Sequence, residues 1–523
     1  MTKILIIGLD GFSWTSGKRL MDDGFMPNLR NLCSKGCCGN LKSVFPFETS
    51  PAWSSFQTGC RPEKTGIYCF HKFDTKSNKL RVNSLADNKA PDIWTILTKS
   101  QKKVISINMP VSFPCPEVEG VFVPGLLCPE INSDNVYPSK IYNKYLKGTN
   151  YKIVENRHIK DLDDFVEESI KTENVRFDLA EKLIVDYQWD LFSIQVQTTD
   201  LFQHRAWATL DPGAKGYSKD VYAKASLFYS QLDSRIGQLL SSAGQDVLTF
   251  IVSDHGFCKY EGSIGLNRWL LDNGYLVLST IPDSDTKFSK TKEVLKSKFS
   301  IIKYAAKFYG KIKKKLFTKN INYSEEEIVH LRRIIDMDKT AAFCLGGLGG
   351  LIYINPCCEN KESIVERLAD EIRSSFGDGK AVKEIQRGEE VYPSGYDRPD
   401  IVVKLNEGWQ ITLNPFSPVI EGNTVRNGLQ IGTHSPEGVF VLSGEKVKNK
   451  NNNCELIDIT PTILALLGID IPAHIDGKAL TDCFSFNFKT NFTDKDTAVR
   501  SHMDYSDSEQ EDVEQQLTDL GYL

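Results

Sequence analysis

Short apolar runs that alternate with long amphipathic stretches, and a carboxylate close behind three of those runs, predict an α/β fold: a mostly parallel central sheet with helices on both faces and an inserted cap region. The runs occupy residues 3–8, 103–108, 190–197 and 247–252. Residues 161–187 and 218–244 read as helices. In the second, Leu227, Tyr229, Leu232, Ile236, Leu239 and Leu240 recur mostly three and four apart, the spacing of one helix face. After Gly262 the pattern loosens into a Lys-rich stretch. Strand-like segments resume at 344–355, 400–405 and 439–443, and 455–467 includes a helix with Pro461 near its start, where a missing N–H is tolerated. This order places a first part of the core at 1–261, a Lys-rich helical insertion or cap at 262–339, a second part of the core at 340–485, and an acidic tail with a short helix at 486–523.

Composition narrows the class. With 41% hydrophobic and 25% charged residues, the chain has the balance of a globular protein and is not wholly disordered, collagenous or coiled-coil. A net charge of -5 gives no footing for binding a nucleic-acid duplex. The apolar start at residues 4–7 is too short for a secretory signal, and no run approaches the roughly 20 apolar residues of a membrane span. A soluble, cytoplasmic protein is therefore expected. Among the 13 Cys, pairs such as Cys37-Cys38 and Cys357-Cys358 are adjacent and lack the spacing of a zinc site or a disulfide framework, so reduced thiols are expected.

The chemistry gathers at the strand ends. Asp10 follows the first run, Asp200 the third and Asp254 the fourth. In an open α/β sheet, ligands bind beyond the carboxyl ends of the strands, so three acids there can converge on one site. Two of them bring histidines. Asp200 and His204 stand one helical turn apart, and Asp254-His255 sit side by side before Gly256. His434 lies in a polar loop just before residues 439–443. Carboxylate with imidazole suits zinc or a similar divalent cation, and three of the eight His in the chain fall at these positions. In Glu48-Thr49-Ser50-Pro51-Ala52-Trp53, Pro51 suits the first turn of a helix running to about Thr58. Thr49 and Ser50 then stand at a helix N-terminus, where N–H groups and the dipole favour a phosphate.

The order Gly8-Leu9-Asp10-Gly11, Met26-Pro27-Asn28-Leu29, Thr49-Ser50-Pro51, Thr58-Gly59, Gly66-Ile67, Asp200 with His204, Asp254-His255-Gly256 and His434 resembles the alkaline phosphatase superfamily. It looks most like the type I phosphodiesterase/nucleotide pyrophosphatase branch and the related phosphohydrolases and phosphomutases. The stretch from Asp458 to Gly468, then Asp476-Gly477-Lys478 and Leu520-Gly521-Tyr522-Leu523, is similar to the closing segments of that family, so the resemblance spans nearly the whole chain. It implies an alkaline-phosphatase-like fold and two divalent metal ions, Zn²⁺ first and Mn²⁺ second. Asp200, His204 and His434 would hold one, and Asp10, Asp254 and His255 the other, with Thr49 bound at the second as the nucleophile. The implied reaction is metal-dependent hydrolysis of phosphate esters, phosphodiesters or nucleotide pyrophosphate bonds above all, through a phospho-threonine; the partner would be a small-molecule or lipid-linked ester. One departure stands out. The family's Asn shortly after the Gly-Ile pair is missing from Tyr68-Cys69-Phe70-His71-Lys72-Phe73, which leaves His71 or Lys72 to contact the substrate phosphoryl group.

Three other readings compete. A cofactor-independent phosphomutase would return the phosphoryl group to substrate and would favour Ser50 as nucleophile. A sulfatase needs Arg where Trp53 stands. A silent member of the family would bind phosphate esters without turnover. Finally, residues 287–319 hold 12 Lys against one acid, Glu293, a local charge of +11. Leu295, Phe299, Ile302, Ala306, Tyr309, Ile312 and Leu316 recur among them at helical intervals, as in a cap helix with a solvated face or a helix that lies on anionic membrane.

Overall fold

The computed structural model describes residues 2–74, 77–154, 161–278, 335–377, 379–422, 425–426, 428–494 and 505–520. A nine-stranded sheet forms the centre. Its order is Lys450–Asn451, Cys37–Lys42, Glu437–Ser443, Val247–Val252, Lys3–Leu9, Leu191–Val196, Val104–Met109 and Gly120–Pro124, with Cys454–Glu455 also paired to Cys37–Lys42. The last five of that order run parallel. Glu437–Ser443 alone is antiparallel to both of its neighbours, Cys37–Lys42 and Val247–Val252.

The first strand shows why both faces carry helices. Side chains along a strand alternate between faces. Leu5, Ile7 and Leu9 enter one core with Leu183, Phe228 and Leu232 of helices Leu162–Asp186 and Lys219–Ala243. Ile4 and Ile6 enter another with Trp53, Phe56, Trp94 and Ile463 of helices Thr49–Thr58, Ile93–Lys99 and Ile459–Leu466. Strands buried on both faces are continuously apolar, which made four of them legible in the sequence. Cys37–Lys42 is not of that kind. Its Cys-Cys-Gly-Asn-Leu-Lys has little strand propensity and forms because Glu437–Ser443 offers it a partner.

A second, antiparallel sheet runs in the order Ala342–Leu345, Gly349–Ile354, Ile401–Leu405 and Val382–Arg387. Helix Lys361–Phe376 lays Val365, Leu368, Ile372 and Phe376 against it, in a core distinct from the other two. The first half of residues 340–485 thus builds a unit of its own, and the chain re-enters the central sheet at Glu437–Ser443. The first two strands of that unit are joined by a tight hairpin through the three residues 346–348, and the other two arrive after helix Lys361–Phe376. Near the C-terminus, helix Asp507–Leu520 buries Val513, Leu517 and Leu520 in the first core, and Tyr505 Oη donates to Leu127 O at 2.6 Å. The Lys-rich helix expected within 287–319 lies outside the described residues. Among the described residues no helix is long and apolar enough to cross a membrane. All 13 cysteines are free thiols.

The Pro27-Asn28-Leu29 motif now has a structural role. Helix Pro27–Lys35 starts on a proline, and its next two N–H groups are capped from another helix: Asp233 Oδ2 accepts from Asn28 N and Nδ2, and Oδ1 from Leu29 N, each at 2.9 Å. A Cβ at Gly237 would lie 2.6 Å from Asn28 Nδ2, so this helix has glycine where the asparagine lies against it. Removing the shared cap by Asp233→Ala is expected to lower the unfolding free energy by about 1–3 kcal/mol. Urea unfolding measures that loss, and divalent-cation uptake should be unchanged because Asp233 touches none of the candidate metal ligands.

Candidate active site

The site lies where three parallel strands end together. Gly8 pairs across to Gln195 on one side and Val252 on the other, so the residues that follow these strands emerge at one level. Asp10 comes directly after Lys3–Leu9. Gly11, at φ +64, turns the chain in the left-handed region and sends its N–H to Asp254 Oδ1 at 3.1 Å. A Cβ there would stand 2.6 Å from the Phe257 ring. Asp200 occupies the first turn of helix Thr198–Leu210, with His204 one turn on, on the same face. Thr199 Oγ1 donates to Asp10 O at 2.6 Å and ties that helix to the end of the first strand.

His434 departs from its expected setting. It lies in a short strand, Gly432–Ser435, paired antiparallel with Gly256–Lys259, in place of a polar loop. The partner strand begins immediately after His255, and pairing with it makes extended structure of a sequence with no apolar pattern. His434 sits opposite Phe257 in that ribbon, and its ring stacks on His255 with centroids 3.7 Å apart.

The six predicted ligands come together in two groups. Asp10, Asp254 and His255 offer ligand atoms all within 4.8 Å of one another, and so do Asp200, His255 and His434. His204 Nε2 joins the second group, 2.8 Å from His434 Nε2 and 3.5 Å from Asp200 Oδ1. His255 belongs to both groups, so the two groups form one continuous cluster. Thr49 opens helix Thr49–Thr58 beside it, with Oγ1 donating to Asp10 Oδ1 at 3.5 Å. Ser50 Oγ is buried and has no hydrogen-bond partner among the described residues.

The polarity of these contacts tests whether cations fit. Asp10 Oδ2 accepts from Trp53 Nε1 and from Gln195 Nε2, each at 2.8 Å, leaving Oδ1 turned toward Thr49 and His255 Nε2. Asp254 repeats the pattern: Oδ1 takes the Gly11 N–H, while Oδ2 stands 3.2 Å from His255 Nε2, and neither of those two atoms has a hydrogen-bond partner among the described residues. With His255 Nδ1 donating to Gly256 O at 3.2 Å, Nε2 carries a lone pair. Three acceptors therefore face one another in a fully buried space, and a cation resolves that conflict. At the other group, His434 Nδ1 donates to Phe47 O at 3.1 Å and its Nε2 points to Asp200 Oδ1 at 3.1 Å. Two ring nitrogens 2.8 Å apart cannot both be bare lone pairs, so a proton or a cation lies between His204 and His434.

Proton affinities point the same way. Burial, then the charges of Asp254 and Asp200, pushes Asp10 well above the usual carboxylate range. Burial likewise raises Asp254 and holds His255 well below the ordinary imidazole value, with His434 adding to the second shift. Burial also acts to raise Asp200, but the charge of His204 and the hydrogen bond from His434 outweigh it and hold its carboxyl below the usual range.

Several contributors were missed in the sequence. Gln195 and Trp53 bind Asp10, and their signals were a polar residue inside an apolar strand and an aromatic one turn after Thr49. Glu48 is buried, and its Oε1 accepts the Leu348 N–H at 2.7 Å, joining the hairpin turn of the second sheet to the start of the Thr49 helix. His71 and Lys72 are placed elsewhere. They lie in hairpin strand His71–Asp74, Lys72 pairs with Asp87, and both line a cavity of about 180 Å³ shared with Tyr68, Lys89, Tyr353 and Arg398. That cavity is walled by none of the six ligands nor by Thr49. Replacing one inner carboxylate by Asp254→Ala is expected to lower divalent-cation stoichiometry by one per chain, read by elemental analysis after equilibration, with the circular dichroism spectrum unchanged.

Known proteins share the fold. Human ectonucleotide pyrophosphatase/phosphodiesterase 5 is similar in fold at a TM-score of 0.53 and 15% identity, over 93% of this chain and 100% of that one. Phosphonoacetate hydrolase from Sinorhizobium meliloti 1021, in complex with phosphonoformate, reaches 0.56 at 15% identity, over 89% of this chain and 95% of the other. The murine ectonucleotide pyrophosphatase/phosphodiesterase 5, in an inactive form with AMP bound, gives 0.52 at 15% identity, over 93% of this chain and 100% of that one. At such identities the likeness speaks for the fold. No curated protein matches the chain in sequence. The family model of type I phosphodiesterase/nucleotide pyrophosphatase, however, matches residues 4–437, from the first strand to the residue that opens the strand after His434. The chain belongs to the type I phosphodiesterase/nucleotide pyrophosphatase family of phosphoester hydrolases.

Proposed function

We propose that this protein is a two-metal phosphohydrolase that cleaves phosphodiesters or nucleotide pyrophosphate bonds through a phospho-threonine at Thr49. The observation that carries this reading is the single cluster in which Thr49 Oγ1, Asp10, Asp254, His255, Asp200, His204 and His434 meet. Two divalent ions, Zn²⁺ by the donor set and Mn²⁺ as the second choice, would be held by those six side chains, and when bound they would neutralise phosphoryl oxygens and lower the pKa of coordinated hydroxyls. Thr49 stands at a helix N-terminus, where backbone N–H groups favour the phosphoryl anion. Its hydroxyl lies beside Asp10 Oδ1, so a cation held there would acidify it, and its proton passes to solvent water as the Oγ1–P bond forms and the leaving oxygen departs with its electron pair. His204 is the most exposed of the six, with 20% of its side chain accessible, so the leaving group exits on that side. Water then attacks phosphorus, the Oγ1–P bond breaks and Thr49 recovers its proton.

A small-molecule or lipid-linked ester is the proposed substrate. The bound AMP of the murine relative supports a nucleotide-type diester, while the missing Asn after Ile67 leaves the grip on the phosphoryl group to residues other than those of the family pattern.

Thr49→Ala is expected to reduce turnover of an aryl phosphodiester by roughly three or more orders of magnitude. Ser50→Ala should retain most of the activity, because its hydroxyl makes no hydrogen bond among the described residues. The opposite ranking, with isomerised sugar phosphate as product, would turn the reading to a phosphomutase. Chelation should abolish turnover and either Zn²⁺ or Mn²⁺ should restore it; full activity in a metal-stripped sample, verified by elemental analysis, would overturn the proposal.

A further inference from the structure

We infer that Trp53 and Gln195 are positioning residues: together they fix Asp10 as a ligand through one oxygen, and Trp53 locks that ligand to the helix bearing Thr49. The inference rests on the two-metal reading above and deepens it. Thr49 and Trp53 are four residues apart in helix Thr49–Thr58 and so share a face. One turn of helix thus presents both the candidate nucleophile and an indole N–H, and both reach Asp10, through opposite oxygens: Trp53 Nε1 donates to Oδ2 at 2.8 Å and Thr49 Oγ1 to Oδ1 at 3.5 Å.

Gln195 supplies the second N–H to Oδ2 at 2.8 Å from the neighbouring parallel strand. The orientation of its amide is set behind it. Asn108 Nδ2 donates to Gln195 Oε1 at 2.9 Å, which leaves Nε2 to face Asp10. With two donors on Oδ2, rotation of the carboxylate would strand two buried N–H groups, so Oδ1 is held toward Thr49 and His255 Nε2. The indole is also seated by its surroundings. Trp53 is fully buried against Phe56. A Cβ on Gly8 would stand 2.6 Å from Trp53 Cη2 and 3.3 Å from Cζ2, so the edge of the six-membered ring lies against the backbone two residues before Asp10. This accounts for the first glycine of Gly8-Leu9-Asp10-Gly11: it leaves room for the tryptophan that holds the aspartate.

The consequence is specific to one metal. Asp10 belongs with Asp254 and His255, whereas the side-chain N–H groups of Trp53 and Gln195 donate, among the described residues, to Asp10 and Gln197 and to none of Asp200, His204 and His434. Trp53→Phe keeps an aromatic ring and removes the N–H; Gln195→Met keeps the length and removes the amide. Zn²⁺ binding to the full-length protein, measured by competition with a chelator of known affinity and by elemental stoichiometry, should show one site weakened roughly 10- to 100-fold in each variant and the other unchanged. Gly8→Ala should reproduce the Trp53→Phe loss by displacing the ring. Wild-type affinity at both sites in Trp53→Phe and Gln195→Met would overturn the inference while leaving the two-metal reading intact. Parallel weakening of both sites together with a lower melting temperature of the metal-free protein would also overturn it, by reducing both residues to packing. A wild-type protein that takes up fewer than two ions would overturn the proposed function itself.

Discussion

Uncompensated negative charge at the end of the central sheet is the constraint on which the rest of the structure turns. Asp10 and Asp254 are wholly buried, and neither forms an ion pair with a lysine or arginine among the described residues. Leaving a carboxylate ionised in such a place is costly, and in a dry pocket it tends to take up a proton instead. Hydrogen bonds from the fold offset that tendency only in part. Each carboxylate has one oxygen bound to N–H donors of the fold, from Trp53 and Gln195 in one case and Gly11 in the other. The second oxygen is aimed at imidazole nitrogens that are acceptors themselves. Burial and mutual repulsion push both carboxyls toward protonation, and a cation bound between their inward-facing oxygens would favour the ionised form.

The fold serves that arrangement through parallel strands. Because Lys3–Leu9 is flanked in register by Leu191–Val196 and Val247–Val252, the segments that follow all three leave the sheet at the same edge. His434 reaches the site from much later in the chain, by a ribbon that pairs with the residues immediately after His255. The second sheet makes its own contribution from outside, since its hairpin turn is fastened to Glu48, next to Thr49. Every candidate ligand thus sits on a regular element or within two residues of one, which gives a metal site a defined shape.

Nucleophile and ligand are also coupled at short range. A helix repeats its face every three to four residues, so Thr49 and Trp53 move as one body, and the indole carries that body to Asp10. The packing beneath it is equally committed: Trp94 Nε1 donates to Gln57 Oε1 at 2.7 Å, and Gln57 Nε2 to Trp53 O at 3.1 Å. A buried polar network of this kind costs stability unless each member finds its partner, and here the members hold one another in place.

The sequence by itself determined the α/β class, four of the parallel strands, both long helices and the six residues that converge, because runs buried on both faces are continuously apolar and because the joint order of Asp and His along the chain resembles a family pattern that no single piece carries. It also located the helix that starts at Thr49, since Pro51 suits only the first turn. Only the tertiary structure decided what depends on partners. Cys37–Lys42 and Gly432–Ser435 became strands because a neighbouring edge completed their hydrogen bonds, a fact that no local pattern carries. Residues 342–405 formed a sheet of their own, and His71 and Lys72 went to a separate cavity with that sheet. The roles of Gly8, Trp53 and Gln195 were equally hidden: each depends on a contact between segments far apart in the chain, and such contacts exist only once the sheet has brought those segments together.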